Sequence, residues 1–228
     1  MKFPQYNGRA RMRAQHMLIT EGLGVSHLLA VVGISSGGSY SIQLAVSYPD
    51  FMDGIVPISG GGFCGKTGRF RGSLRNSIIE SCAGWNEGNY DENPKACATS
   101  YISVLIPYFY SRDWWERHID TAEAHQRWRV AMGAFTLDVQ DTRDLYYLER
   151  SYEKGWVTDT PGFNGSMQAA LGSIKAKALF IHSFQDELVP PKNIADEAKL
   201  IPKACDLAID SDADTPSGTT PNHRPPWP

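Results

Sequence analysis

The sequence has 228 residues, with 22 Lys and Arg against 25 Asp and Glu and a formal net charge of −3. That length suits one large domain, or one domain with an insertion, and is enough to bury a sizeable core. The mildly acidic balance gives no electrostatic reason to expect nucleic acid or an anionic membrane as partner, and no apolar run approaches the roughly 20 residues of a spanning helix.

Met1-Lys2-Phe3-Pro4-Gln5 carries no apolar signal region, which predicts a cytoplasmic protein unless an export signal precedes residue 1. Arg9 to Glu21 predicts an amphipathic helix, with Met12, Met17, Leu18 and Ile19 as apolar positions and Gly22-Leu23-Gly24 as its stop. The short basic clusters Arg9, Arg11, Arg13 and Arg69, Arg71, Arg75 read as solvated faces. Leu28 to Val32 is a continuous apolar run, the pattern of a strand buried on both faces. Turn residues follow, then a helical pattern from Tyr40 to Tyr48 that Pro49 ends, then a second strand from Gly54 to Ile58. Helix, strand, helix, strand is the rhythm of a parallel sheet with crossover helices.

Gly60-Gly61-Gly62 breaks this rhythm. Residues 63–164 are predicted to be a helical cap insertion, with its crowded tryptophans and tyrosines forming its own core. The four cysteines lack metal-ligand spacing and read as free or buried thiols; a Cys82–Cys97 disulfide is the pairing open to the chain if it is exported. Strand patterning returns at Ala178–His182, followed by a short helix at Asn193–Leu200 and a strand at Leu207–Ile209. Residues 1–62 and 165–210 thus make the sheet-bearing core, and the Pro-, Thr- and Asp-rich residues 211–228 read as a disordered tail.

Gly33-Ile34-Ser35-Ser36-Gly37 lies between the first strand and the helix after it. A serine hydroxyl is a weak nucleophile and must meet a base and a substrate together. A G-x-S-x-G turn between strand and helix does this by geometry, since small residues let strand and helix approach closely around the serine. The helix N-terminus offers free N–H groups to an oxyanion, and the Ser36 N–H is the first candidate donor. A glycine-rich phosphate-binding turn is the competing reading, and Ser36 and Ser39 are the neighbouring hydroxyls to exclude. Chain order in this architecture is nucleophile, acid, histidine. Asp186, just past a late strand, fits the acid, with Glu187 as the neighbour to exclude and a helix cap as the alternative role. His182 sits in a strand pattern, His118 and His125 in the insertion, and His16 and His27 before the elbow. That leaves His223 as the candidate base, in a Pro-rich context that does little to fix an imidazole.

Phe3-Pro4, Arg13-Ala14-Gln15-His16, Leu23-Gly24-Val25, Val31 through Gly38 and Tyr48 through Asp53 together resemble the homoserine O-acetyltransferase family. Ala83 through Tyr90 is similar to that family's Trp–Gly–Tyr segment, and Ile174-Lys175-Ala176 with Asp186 through Pro191 to its acid segment. The resemblance implies an α/β-hydrolase fold, a mostly parallel sheet, and acyl transfer through an acyl-enzyme on Ser35 with Asp186 as acid. It implies small-molecule acyl donors and acceptors and no bound cofactor, an acyl donor such as acetyl-CoA being a substrate. Relatives with similar wording include α/β hydrolases of other kinds, so ester hydrolysis with the same nucleophile is the alternative. Where the family has methionine after the nucleophile, this chain has Ser36. The family's first strands and one oxyanion loop would precede residue 1, and its Gly-His segment does not match residues 211–218. Those departures predict an elbow strand with one side unpaired, which favours a homo-oligomer, and raise a third reading: a catalytically impaired fragment.

Overall fold

The computed structural model describes residues 3–62, 65–137, 140–153 and 156–210; the tail and His223 lie outside them. The chain opens with α1 (Gly8–Met17), capped where the Ala10 N–H donates to Asn7 Oδ1 at 2.9 Å. A π turn over Leu18–Gly22 follows, and Gly24 at φ +68° takes the left-handed conformation that ends it. Then come β1 (Leu28–Ile34), α2 (Ser36–Ser47) and β2 (Met52–Ile58). Five helices follow: α3 (Gly65–Glu80), α4 (Lys95–Ser103), α5 (Arg112–His118), α6 (Ala122–Leu137) and α7 (Thr142–Glu153). The last segment holds α8 (Met167–Gly172), β3 (Lys177–Ser183), α9 (Pro191–Ala198) and β4 (Ala204–Ile209).

All strand pairs are parallel, in the order β1-β2-β3-β4, with Ala30 opposite Gly54, Ile55 opposite Ala178 and Phe180 opposite Asp206. The helix α2 packs on β1 and β2, and α9 on β3 and β4. Their contact buries Ile42, Ile55, Leu171, Phe180 and Ile194 together, the apolar burial that drives the fold. Between β2 and β3 the described residues form helices and short 3-10 turns. A second apolar cluster joins Ile79, Trp85, Tyr101, Ile102, Leu145 and Tyr146 there. Tyr110, Trp114, Trp115 and Trp128 form a separate aromatic group at α5 and α6, with Tyr110 stacked on Trp114 and Trp128 edge-on to the other three. Among the described residues, no helix is long and apolar enough to cross a membrane.

Three expectations are corrected. The helix after the elbow begins at Ser36 and not Tyr40, because the run Ser36-Gly37-Gly38-Ser39 is helical without any apolar periodicity to reveal it. The strand β1 is not buried on both faces: Leu29 is 83% and Val32 63% exposed, on opposite faces, and among the described residues β1 lies at the sheet edge with β2 as its one neighbour. Cys82 and Cys97 are not free thiols but a disulfide, with Cα atoms 5.7 Å apart. Closing a loop of that separation, 15 residues, stabilises by about 3 kcal/mol in the chain-entropy account. Cys205 is free and exposed.

Candidate active site

Ser35 is the single residue between β1 and α2, at φ 54° and ψ −119°. A non-glycine residue at positive φ is strained and persists only where its surroundings over-determine it. Here they do. The Ser35 N–H donates to the Ile58 carbonyl oxygen at the end of β2 (2.8 Å), and the Ser35 carbonyl accepts from Ser39 in the first turn of α2 (3.1 Å). A Cβ on Gly33 would lie 2.2 Å from the Gly37 backbone, and one on Gly60 would lie 2.4 Å from the Ser35 carbonyl oxygen. The tight approach is therefore made at Gly33 and Gly60. Gly37, read from sequence as the second small residue needed, contributes its backbone; a Cβ there would meet nothing within 4 Å.

The acid candidate stands on the loop after β3. Asp186 is 2% exposed, while the Glu187 side chain faces solvent. The Val189 N–H donates to Asp186 Oδ1 at 2.7 Å, and Oδ2 is buried without a partner among the described residues. Burial pushes the Asp186 pKa up to about 7, against the opposing pull of the Val189 and Leu188 amides, of the Ser59 hydroxyl and of the nearby Arg71 charge. A buried acceptor left open in this way is suited to a donor such as an imidazole N–H.

A cavity of about 340 Å³ opens over the elbow, within the range of small-molecule sites. Ser35, Ser36 and Ser39 line one side, Leu188 and Val189 of the acid loop another, and Tyr101, Leu145 and Glu149 of the insertion helices a third. Ser36 and Ser39 are thus close to the site, but Ser35 alone holds the strained turn. None of the described histidines lines the cavity. His182 is buried in β3 with Nε2 2.9 Å from Asp206 Oδ1, His16 stacks on Tyr48, His27 contacts Asp53, and His118 and His125 belong to the aromatic group of α5 and α6. His223 lies outside the described residues.

Arg71 and Arg75 depart from the solvated face that their basic cluster predicts. Arg71 is buried, donating from Nη1 to the Glu187 carbonyl oxygen (3.1 Å) and from Nη2 to that of Leu188 (2.6 Å). Arg75 Nη2 pairs with Glu149 Oε2, with 13% and 5% of the two side chains exposed. Their spacing along α3, four residues apart, places both on one helical face, which is the signal that was available. Among the described residues no cluster of His, Cys, Asp and Glu could hold a metal ion.

No family model matches the chain. Curated relatives do. It is 37% identical over 217 residues to the homoserine O-acetyltransferase of Haemophilus influenzae, covering 88% of this chain and 58% of the relative. It is 27% identical over 205 residues to the homoserine O-acetyltransferase of Methanocorpusculum labreanum, covering 83% and 41%. A probable esterase of Corynebacterium glutamicum is 25% identical over 208 residues, covering 88% and 58%. The chain therefore spans about half the length of the curated relatives it matches. Among solved structures, the homoserine O-acetyltransferase of Bacillus anthracis superposes with TM-score 0.84 at 19% identity, over 92% of this chain and 60% of that one. An acetylester hydrolase of C. glutamicum superposes with TM-score 0.82 at 23% identity, over 93% and 62%. The fold is that of the α/β hydrolases, and the homologues are acyltransferases and esterases, in agreement with the resemblance carried by the sequence.

Proposed function

We propose that this chain belongs to an acyl-transfer enzyme working through a covalent acyl-enzyme on Ser35. The observation that carries this reading is the strained turn of Ser35, pinned between β2 and α2 and open to a cavity that the acid loop also lines. In the proposed cycle the Ser35 hydroxyl adds to an ester carbonyl while a histidine takes its proton. The Ser36 N–H at the start of α2 stabilises the oxyanion. Collapse expels the alcohol or thiol, which receives the proton, and leaves the acyl group on Ser35. A second acceptor then removes it: an alcohol in a transferase, water in an esterase. Asp186 orients the histidine and stabilises its charged form, and chain order leaves His223 for that base. Residues 63–164 act as the cap that shapes the cavity. A donor such as acetyl-CoA enters as substrate, and no cofactor takes part. The Cys82–Cys97 bridge favours an oxidising compartment over the cytoplasm read from the N-terminus.

The test is capture of the nucleophile by a fluorophosphonate, together with p-nitrophenyl acetate hydrolysis and acetyl-CoA-dependent transfer to homoserine. Capture and turnover are expected to vanish in Ser35→Ala, and capture that survives would move the nucleophile elsewhere. Turnover lost in His223→Ala assigns the base. Feeble turnover that His223→Ala leaves unchanged supports the impaired-fragment reading, which the lack of a cavity-lining histidine among the described residues motivates.

A further inference from the structure

Resting on the reading of Ser35 as nucleophile, we infer that Glu197 is a positioning residue for it: the buried Glu197 carboxylate anchors the loop after β2, and the elbow is seated on that loop. The setting of Glu197 on α9 sets it apart. Lys192, Asp196 and Lys199, on or just past that helix, pair with one another at the surface. Glu197 instead shares the buried face with Ile194 and Ala198 and is 7% exposed. Burying a carboxylate is costly unless donors hold it. Here the Gly62 N–H donates to Glu197 Oε2 at 2.6 Å. A Cβ on Gly61 would lie 2.9 Å from the same oxygen and 3.4 Å from the other, so the whole carboxylate rests against the loop backbone.

The loop in turn meets the elbow at two places. Ile58, whose carbonyl accepts from the Ser35 N–H, leads directly into it. Gly60 packs so closely that a Cβ there would lie 2.4 Å from the Ser35 carbonyl oxygen, 2.8 Å from the Ser39 nitrogen and 2.9 Å from Gly38 Cα. Between them Ser59 is fully buried at φ 45°, with its N–H donating to the Ile181 carbonyl of β3 at 2.7 Å. A non-glycine residue at positive φ persists only where its surroundings hold it. The loop is thus fixed by β3 at Ser59 and by α9 at Gly62. The helix α9 starts at Pro191, soon after Asp186, so the Glu197–Gly62 bond ties the segment that carries the acid candidate to the seat of the nucleophile. A displacement of about 1 Å at reacting groups costs on the order of a hundredfold in rate. A hydrogen bond to a charged group is strong enough to change local opening about tenfold or more.

Hydrogen exchange resolved at single amides, together with the rate of fluorophosphonate capture at Ser35, tests this. Glu197→Met fills the space without an acceptor oxygen. In it the Ser35 and Ser39 amides are expected to exchange at least about tenfold faster, with those of Tyr101 and Phe180 within about twofold of the unaltered chain. Capture should slow at least about tenfold, and most of its rate should return in Glu197→Gln, which keeps an acceptor oxygen. Unchanged exchange at the elbow, an equal rise at all four amides, or unchanged capture despite a looser elbow would overturn the inference. A Glu197→Gln as slow as Glu197→Met overturns the role given to the Gly62 bond. Should Glu197→Met not fold, Gly61→Ala decides by the same measurements, since its Cβ displaces the carboxylate from the loop side. The nucleophile reading fails separately: capture absent from Ser35 in the unaltered chain removes it, and the exchange pattern still decides whether Glu197 holds the turn.

Discussion

Arg71 Nη2 donates to the Leu188 carbonyl oxygen at 2.6 Å, two residues past Asp186. With the second bond from Nη1 to Glu187, an arginine of helix α3 holds the loop that carries Asp186. A planar fork suits two adjacent carbonyls; a lysine keeps the charge but reaches one. Arg71→Met is therefore expected to lower kcat for ester turnover by roughly 10- to 100-fold with a smaller change in KM, because misplacement of a catalytic group by about 1 Å costs on that order. Arg71→Lys should recover part of the loss. Steady-state kinetics of the two variants check this, and a kcat within twofold of the unaltered chain in Arg71→Met would show that the loop holds itself.

The elbow makes a sharper steric statement than its motif does. A Cβ at Gly33 collides with backbone atoms of Gly37, which cannot rotate away as a side chain could. Gly33→Ala is expected to destabilise by about 1–3 kcal/mol or more, the range of overpacked sites. Gly37→Ala should be nearly neutral, since its Cβ points into open space. Urea unfolding of both variants decides, and a Gly37→Ala as damaging as Gly33→Ala would contradict the geometry.

The elbow was legible in sequence because its signal is local: an apolar strand, a small-residue turn and a helix in immediate succession. The place of Asp186 on the loop after β3 was legible for the same reason, as a carboxylate just beyond the run Ala178–His182, whereas its burial was not. The start of α2 was not, because Ser36 to Ser39 carry turn chemistry while adopting helix. Nor were Arg71, Arg75 and Glu149, whose meaning depends on contacts across more than 70 residues of chain. The exposure of β1 was misread because an apolar run records what a strand can bury, and what it does bury depends on its neighbours in the sheet.

Asp186 should couple stability to pH. Burial raises its pKa from 3.8 to about 7, so the folded chain holds a proton there that the unfolded chain releases near pH 4. Between those two values folding binds a proton, and stability falls as pH rises, with the penalty complete above about pH 7. Asp186→Asn removes the titration. It is expected to raise the unfolding free energy by an order of 1–3 kcal/mol at pH 8 and to change it little at pH 4, while lowering turnover. Denaturant unfolding at the two pH values measures this. No gain at pH 8 would mean that a partner, such as a docked histidine, already satisfies the open Oδ2.

The edge of the sheet carries the last prediction. Side chains alternate along a strand, so Leu29 projects from one face of β1 while Val32 and Ile34 project from the other. All three are exposed, so apolar surface is bare on both faces of this edge. Leu18 and Leu23, between α1 and β1, are exposed as well. Among the described residues the backbone of β1 also has a free side, since β2 pairs with the other. An apolar strand with an open edge is a template for pairing with another chain. The protein is therefore expected to self-associate as its concentration rises, through β1. Leu29→Lys/Val32→Lys places charge on both faces of the edge at positions that are 83% and 63% exposed. Exposed substitutions of this kind change stability by within about 0.5 kcal/mol, so the double variant should shift the protein towards monomer without unfolding it. Sedimentation velocity across a hundredfold range of concentration, on the unaltered chain and the double variant, provides the measurement. A single monomeric species for the unaltered chain throughout that range would rule out the edge as an association surface, and equal association of the two proteins would place that surface elsewhere.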